Sequence, residues 1–107
     1  MAGIWDRIRN RGENDDPIAS LTLVGTMYLV VRNIITGVQA RDALNATLSV
    51  PLTVAEIADL NQLATQFGTG TATAKMDLMW RLQSMCIAAE VGLLNNEATF
   101  RSELGLT

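Results

Sequence analysis

Asp15-Asp16-Pro17 is followed by fourteen uncharged, mostly apolar residues, Ile18 to Val31, before Arg32 restores a charge. No other segment constrains the fold as much. Asp16 ahead of Pro17 is a helix start: the Asp side chain accepts from an early backbone N–H, and a proline at the first helical position gives up a donor that has no intrahelical partner. The acidic pair also suits the positive end of the helix dipole. A helix from 17 to about 35 is expected. It is apolar on nearly every side, and such a helix has to be surrounded by protein. A chain of 107 residues has little material with which to do that. The run therefore points to a subunit that packs against copies of itself or a partner. β-branched residues are frequent in it, but a run this long without an internal turn exceeds a usual strand. Gly25 costs roughly 1 kcal/mol inside a helix, and its expected benefit is a notch where another helix comes close.

The rest of the composition agrees. Charged residues make up 18% of the chain, where about 25% is usual, so polar cover is short and apolar residues are left at the surface, where large patches mark interfaces. The length corresponds to one domain. The net charge of −3 and pI near 4.7 argue against a nucleic-acid surface, which needs clustered Lys and Arg. The one local cluster, Arg7, Arg9 and Arg11, is flanked by Asp6, Glu13, Asp15 and Asp16. The start of the chain lacks the charged and apolar pattern of a signal peptide, and the 18–31 run is shorter than the ~20 apolar residues of a membrane span. Neither nucleic acid nor membrane is an expected partner.

The remaining elements follow from local signals. Residues 3–11 form a short helix with Ile4, Trp5 and Ile8 on one side and Gly12 as its stop, followed by the polar linker 13–16. Thr36-Gly37 reads as a break, with a second helix over about 38–48. Thr53 and Glu56 make a capping box, with Leu52 stapled onto Ile57, and Gly68 is the C-terminal stop of that helix. After a flexible 68–73 loop, a long helix runs from about 72 to 91. Leu78, Leu82, Met85, Ala89 and Leu93 form one stripe on it, flanked by Met79 and Cys86. Met76, Trp80 and Ile87 lie on the far side, so this helix has two contact faces. Gly92 ends it, and Asn95 or Asn96 caps a last short helix ending near Leu104-Gly105. The expected architecture is all-α: a compact bundle of about four main helices over 17–107, preceded by an arm and linker over 1–16.

Chemistry is thinly represented. Histidine is absent, which removes the commonest general base and metal ligand, and with Cys86 as the single cysteine the usual zinc sites are excluded. That cysteine, among Met85, Ile87, Ala88 and Ala89, reads as a small buried thiol. Glu56 and Asp59 share a helix face, but such pairs are usually solvated. Gly68-Thr69-Gly70-Thr71 lacks the Lys-Ser/Thr of a P-loop. The helix–linker–helix at 38–67 carries no Lys or Arg on its would-be recognition helix, so it is a helical hairpin and not a DNA reader. No catalytic residue, cofactor or metal is expected, and the chain reads as a non-enzyme.

Ile4, Trp5 and Ile8 are open to two readings: the hydrophobic edge of the domain itself, or an arm that inserts into a neighbouring subunit. The polar linker and the enrichment of tryptophan at interfaces make the arm worth carrying forward. The expected interface residues are then Ile4, Trp5 and Ile8 on the arm, with Met76, Trp80 and Ile87 on the second face of the long helix.

Two stretches resemble known proteins. Thr36-Gly-Val-Gln-Ala-Arg-Asp-Ala-Leu-Asn-Ala-Thr-Leu-Ser-Val-Pro-Leu-Thr-Val-Ala-Glu-Ile-Ala-Asp-Leu60 and Ala89-Glu-Val-Gly-Leu-Leu-Asn-Asn-Glu-Ala-Thr-Phe-Arg-Ser-Glu-Leu-Gly-Leu106 look like small all-helical proteins from the structural gene clusters of tailed bacteriophages. The shared features are helix caps and leucine spacings, and no site residue carries over. The resemblance implies a virion component or tail-associated accessory subunit, assembled in the host cytoplasm; the apolar faces add that it associates with itself and docks on other virion proteins. The rival reading is a small phage-encoded regulatory module that binds a host protein.

Overall fold

The computed structural model describes residues 3–9 and 20–107. The expected linker at 13–16, the Gly12 stop and the Asp16-Pro17 helix start lie outside the described residues. The described chain is all-α and has six helices: α1 (Ile4–Arg9), α2 (Ser20–Val31), α3 (Gly37–Thr47), α4 (Val54–Thr69), α5 (Ala72–Glu90) and α6 (Glu97–Glu103). Helix α2 packs against α3, α4 and α5, while α5 also meets α1, α4 and α6. The start of α2 lies against the end of α5, where the Glu90 carboxylate accepts from the Ser20 N–H at 3.0 Å.

Side-chain and backbone caps set the helix boundaries. Thr36 and Thr53 both form complete capping boxes, with Gln39 and Glu56 respectively. Three helices end in the same way, with a residue in the left-handed region that lets two late N–H groups turn back onto orphan carbonyls. Asn33 (φ 59°) closes α2, with Asn33 N–H on the Val30 carbonyl and Ile34 N–H on that of Leu29. Gly92 closes α5 and Gly105 closes α6 through equivalent pairs of bonds. The expected extension of α2 to about 35 fails at Asn33. Helix α4 runs through Gly68 to Thr69 and is capped by Gly70, so the expected 68–73 loop shrinks to a tight corner.

The core draws on every helix. Leu23 and Met27 of α2, Leu63 and Phe67 of α4, Leu82 of α5 and Phe100 of α6 are fully buried at its centre. Two expectations are corrected here. Helix α2 is not enclosed on all sides: Ser20, Leu23, Met27 and Val30 are buried at the 3–4 spacing of one face, while Leu21 is 73% exposed and Tyr28 also faces outward. Thr22, Gly25 and Thr26 dilute the apolar character of that outer side, which is how the protein leaves it uncovered. A Cβ built on Gly25 meets nothing within 4 Å, so among the described residues no other helix closes on it. The notch is at Gly37, whose added Cβ runs into Ala64 of α4.

Candidate interaction surface

The carboxylates closest to chemistry, Glu56 and Asp59, are not on a solvated face. Both are buried, at 2% and 3% exposure, and each holds an arginine from a distant helix. Glu56 Oε2 takes Arg7 Nε, and its Oε1 accepts from Arg7 Nη2 at 2.7 Å and from Thr53 N–H at 2.7 Å. The same guanidinium donates to the carbonyls of Val50 and Pro51 at 2.9 and 3.0 Å. Asp59 accepts Arg101 Nη1 and Nη2 at 2.9 Å each, and the Ile4 N–H at 3.1 Å. This contact holds Arg101 firmly in its charged form, its pKa raised first of all by the hydrogen bonds to Asp59. With three donors on each carboxylate, the pair fastens α1 and α6 onto α4 and offers no free base.

A shallow cleft of about 310 Å³ opens beside Asp59, lined also by Gly3, Ala58, Glu97, Arg101 and Thr107. A larger one of about 420 Å³ lies between the α2–α3 turn and α4, and among the described residues no ionisable side chain lines it. Among the described residues no group of three or more His, Cys, Asp or Glu side chains is placed to hold a metal ion. Cys86 is fully buried, and its thiol is pushed up to about 12 by burial and the nearby Glu90. It stays a neutral core group at ordinary pH.

The expected interface residues divide cleanly. Ile4, Trp5 and Ile8 belong to the chain's own core, which corrects the arm reading. Helix α1 packs on α4 and α5, Trp5 tilts against Phe100 with ring centroids 5.1 Å apart, and the Arg9 guanidinium lies over the Trp5 ring, 5.4 Å from its centroid. One ion pair and one backbone hydrogen bond explain the docking of α1, since Arg7 and the Ile4 N–H both reach the buried carboxylates of α4.

Met76, Trp80 and Ile87 face solvent at 50%, 63% and 38% exposure. The same helix buries Leu78, Met79, Leu82, Cys86 and Ala89 on its inner side. Val91, just past the helix end, extends the outer stripe at 62% exposure. Leu93, expected in the inner stripe, is instead exposed, because the left-handed turn at Gly92 carries the chain away from the helix. Along one edge of the stripe Asp77 pairs with Arg81 at 2.6 Å. Val91 is not among the expected interface residues, although its 4-residue spacing from Ile87 places it on the same face.

No helix among the described residues is long and apolar enough to cross a membrane. No protein-family model matches the chain, and neither a curated protein nor a solved structure matches it.

Proposed function

We propose that the chain is a non-enzymatic assembly subunit of a tailed-phage virion, which acts by associating with itself and docking on other virion proteins. The observation that carries this reading is Trp80, 63% exposed in the middle of an apolar stripe on the outer face of α5. Tryptophan is among the residues most enriched in the energetic centres of interfaces. The stripe is also preorganised. The opposite face of the same helix is locked in the core, so a partner meets a surface that need not be ordered on binding, and that lowers the cost of association. The buried pairs Arg7–Glu56 and Arg101–Asp59 fix the terminal helices onto α4, which favours a rigid building unit. The phage context comes from the resemblance of the 36–60 and 89–106 segments to small structural proteins of tailed phages.

The test is to purify particles of the phage that encodes the chain through a density gradient and look for the chain by mass spectrometry. It should band with the particles, and Trp80→Asp should reduce its incorporation while the free protein stays folded. A chain that stays with soluble host protein, in a complex with one host partner, would replace this reading with the regulatory one.

A further inference from the structure

The outer stripe of α5 has a property that a general docking face does not require. Its large apolar members sit at 76, 80, 87 and 91, with spacings of four, seven and four. The pattern reads the same in both chain directions about a point between Gln83 and Ser84. At about 100° per residue the four positions fall within roughly 60° of arc, so they form one straight seam. A two-fold interface uses the same patch on both subunits, so it needs a patch that is its own complement. We infer that this face pairs with a second copy of the chain, the two α5 helices antiparallel across a dyad between Gln83 and Ser84. This deepens the proposed function by naming the partner of the same face, and it rests on that reading.

The antiparallel register matches large side chains to smaller ones. Trp80 lies across from Ile87 of the second copy, and Met76 across from Val91. Near the axis, the small Ser84 faces its own counterpart and lets the helices approach to the usual 8–10 Å. Of the acidic groups beside the stripe, Asp77 is neutralised by Arg81 of its own chain, and Glu90 is drawn toward the Ser20 N–H and hydroxyl of α2. The area is sufficient. The four fractional exposures, applied to large side chains of roughly 150–250 Å² each, leave about 400 Å² of apolar surface per copy. An interface about 60% apolar then totals about 1,300 Å² over both copies, inside the range of specific, stable contacts.

The test uses the full chain and solution mass by sedimentation from micromolar to millimolar concentration, with circular dichroism as the control for folding. The wild type should move from 11.6 kDa to twice that mass. Trp80→Lys and Ile87→Glu should each remain monomeric where the wild type is dimeric. The double variant Trp80→Lys/Ile87→Glu should associate more tightly than either single variant, because in this register each introduced ammonium meets an introduced carboxylate of the other copy, twice per dimer. Ser84→Cys should form a disulfide dimer under mild oxidation, and Cys86 is too deeply buried to compete. A wild type that stays monomeric throughout overturns the inference, and docking on other virion proteins is then judged by the particle experiment alone. A dimer whose mass ignores Trp80→Lys overturns it too. If the double variant associates no better than either single variant and Ser84→Cys fails to cross-link, the antiparallel pairing is wrong.

Discussion

Glu56 uses one carboxylate oxygen for two tasks: Oε1 accepts the N–H of its own helix cap, Thr53, and Nη2 of Arg7, at 2.7 Å in each case. The cap of α4 and the docking of α1 are thereby joined at a single side chain that is 2% exposed.

Removing the two partners should therefore cost different amounts. Thr53→Ala loses a cap and should destabilise by about 1 kcal/mol. Glu56→Ala also removes the carboxylate that faces the buried guanidinium of Arg7 and leaves that charge on neutral acceptors such as the Val50 and Pro51 carbonyls. It should cost more than the cap alone, up to the about 3–5 kcal/mol of a broken buried pair. Urea denaturation of both variants decides it, and equal losses would mean that the ion pair adds nothing beyond the cap.

The second pair is lopsided. The Arg101 side chain retains 22% exposure and Asp59 only 4%, and Arg101 Nη2 has the Thr107 carbonyl as a further acceptor at 2.7 Å. Arg101→Ala leaves an enclosed carboxylate whose remaining donor among the described residues is the Ile4 N–H, at 3.1 Å. Asp59→Asn leaves a guanidinium that can reach water. Arg101→Ala should be the worse of the two, by about 1–2 kcal/mol within the range for broken buried pairs. A larger loss for Asp59→Asn in the same urea titration would refute the assignment of Asp59 as the trapped partner.

The local half of this architecture was legible in the sequence, and the long-range half was not. The Thr53–Glu56 box, the stops at Gly92 and Gly105 and the two faces of α5 are written in spacings of three and four residues, which periodicity detects. The burial of Glu56 and Asp59 depends on arginines 49 and 42 residues away, and helical spacing carries no information about partners so distant. For the same reason Ile4, Trp5 and Ile8 showed that α1 has an apolar side without showing what covers it. In α2 the apolar content was plain, but it masked the narrower stripe of Leu23, Met27 and Val30 that the core uses.

Two glycines make opposite predictions. Gly25 sits in the middle of α2 with open space around its missing Cβ, so Gly25→Ala should stabilise by about 0.5–1 kcal/mol through helix propensity. Gly37, at the start of α3, lets that helix touch Ala64 of α4, and an added methyl has no room there. Gly37→Ala should cost about 1–3 kcal/mol as overpacking. Thermal melts of the pair should move in opposite directions, and a stabilised Gly37→Ala would show that α3 and α4 separate easily.

Cys86 links stability to alkaline pH. Its folded pKa is raised from 9.0 to about 12, so the folded state holds the thiol proton more tightly than the unfolded chain does. The resulting stabilisation is fully present below pH 9 and is lost as pH rises through 12. Cys86→Ala should lower stability at pH 7 by about 1–2 kcal/mol for the small cavity, yet show a shallower decline between pH 9 and 12. In the native wild type at pH 8, the thiolate fraction is about 1,000-fold below that of an ordinary thiol, so alkylation should proceed only through unfolding. Rapid native alkylation at that pH would place the thiol outside the core.

The two tryptophans separate folding from assembly. Trp5 is core, in contact with Phe100, so Trp5→Ala should cost about 3–5 kcal/mol and lower helicity at denaturant concentrations where the wild type is intact. Trp80 is mostly exposed, and Trp80→Asp should change the unfolding free energy by no more than about 0.5 kcal/mol, as exposed substitutions do. Acrylamide should quench the fluorescence of Trp5→Phe, which reports Trp80, far more readily than that of Trp80→Phe, which reports Trp5. Protection of Trp80 that appears only as concentration rises would mark α5 as the contacting face. Protection already complete in dilute monomer would mean that the chain itself covers the stripe, and the case for α5 as a docking helix would collapse.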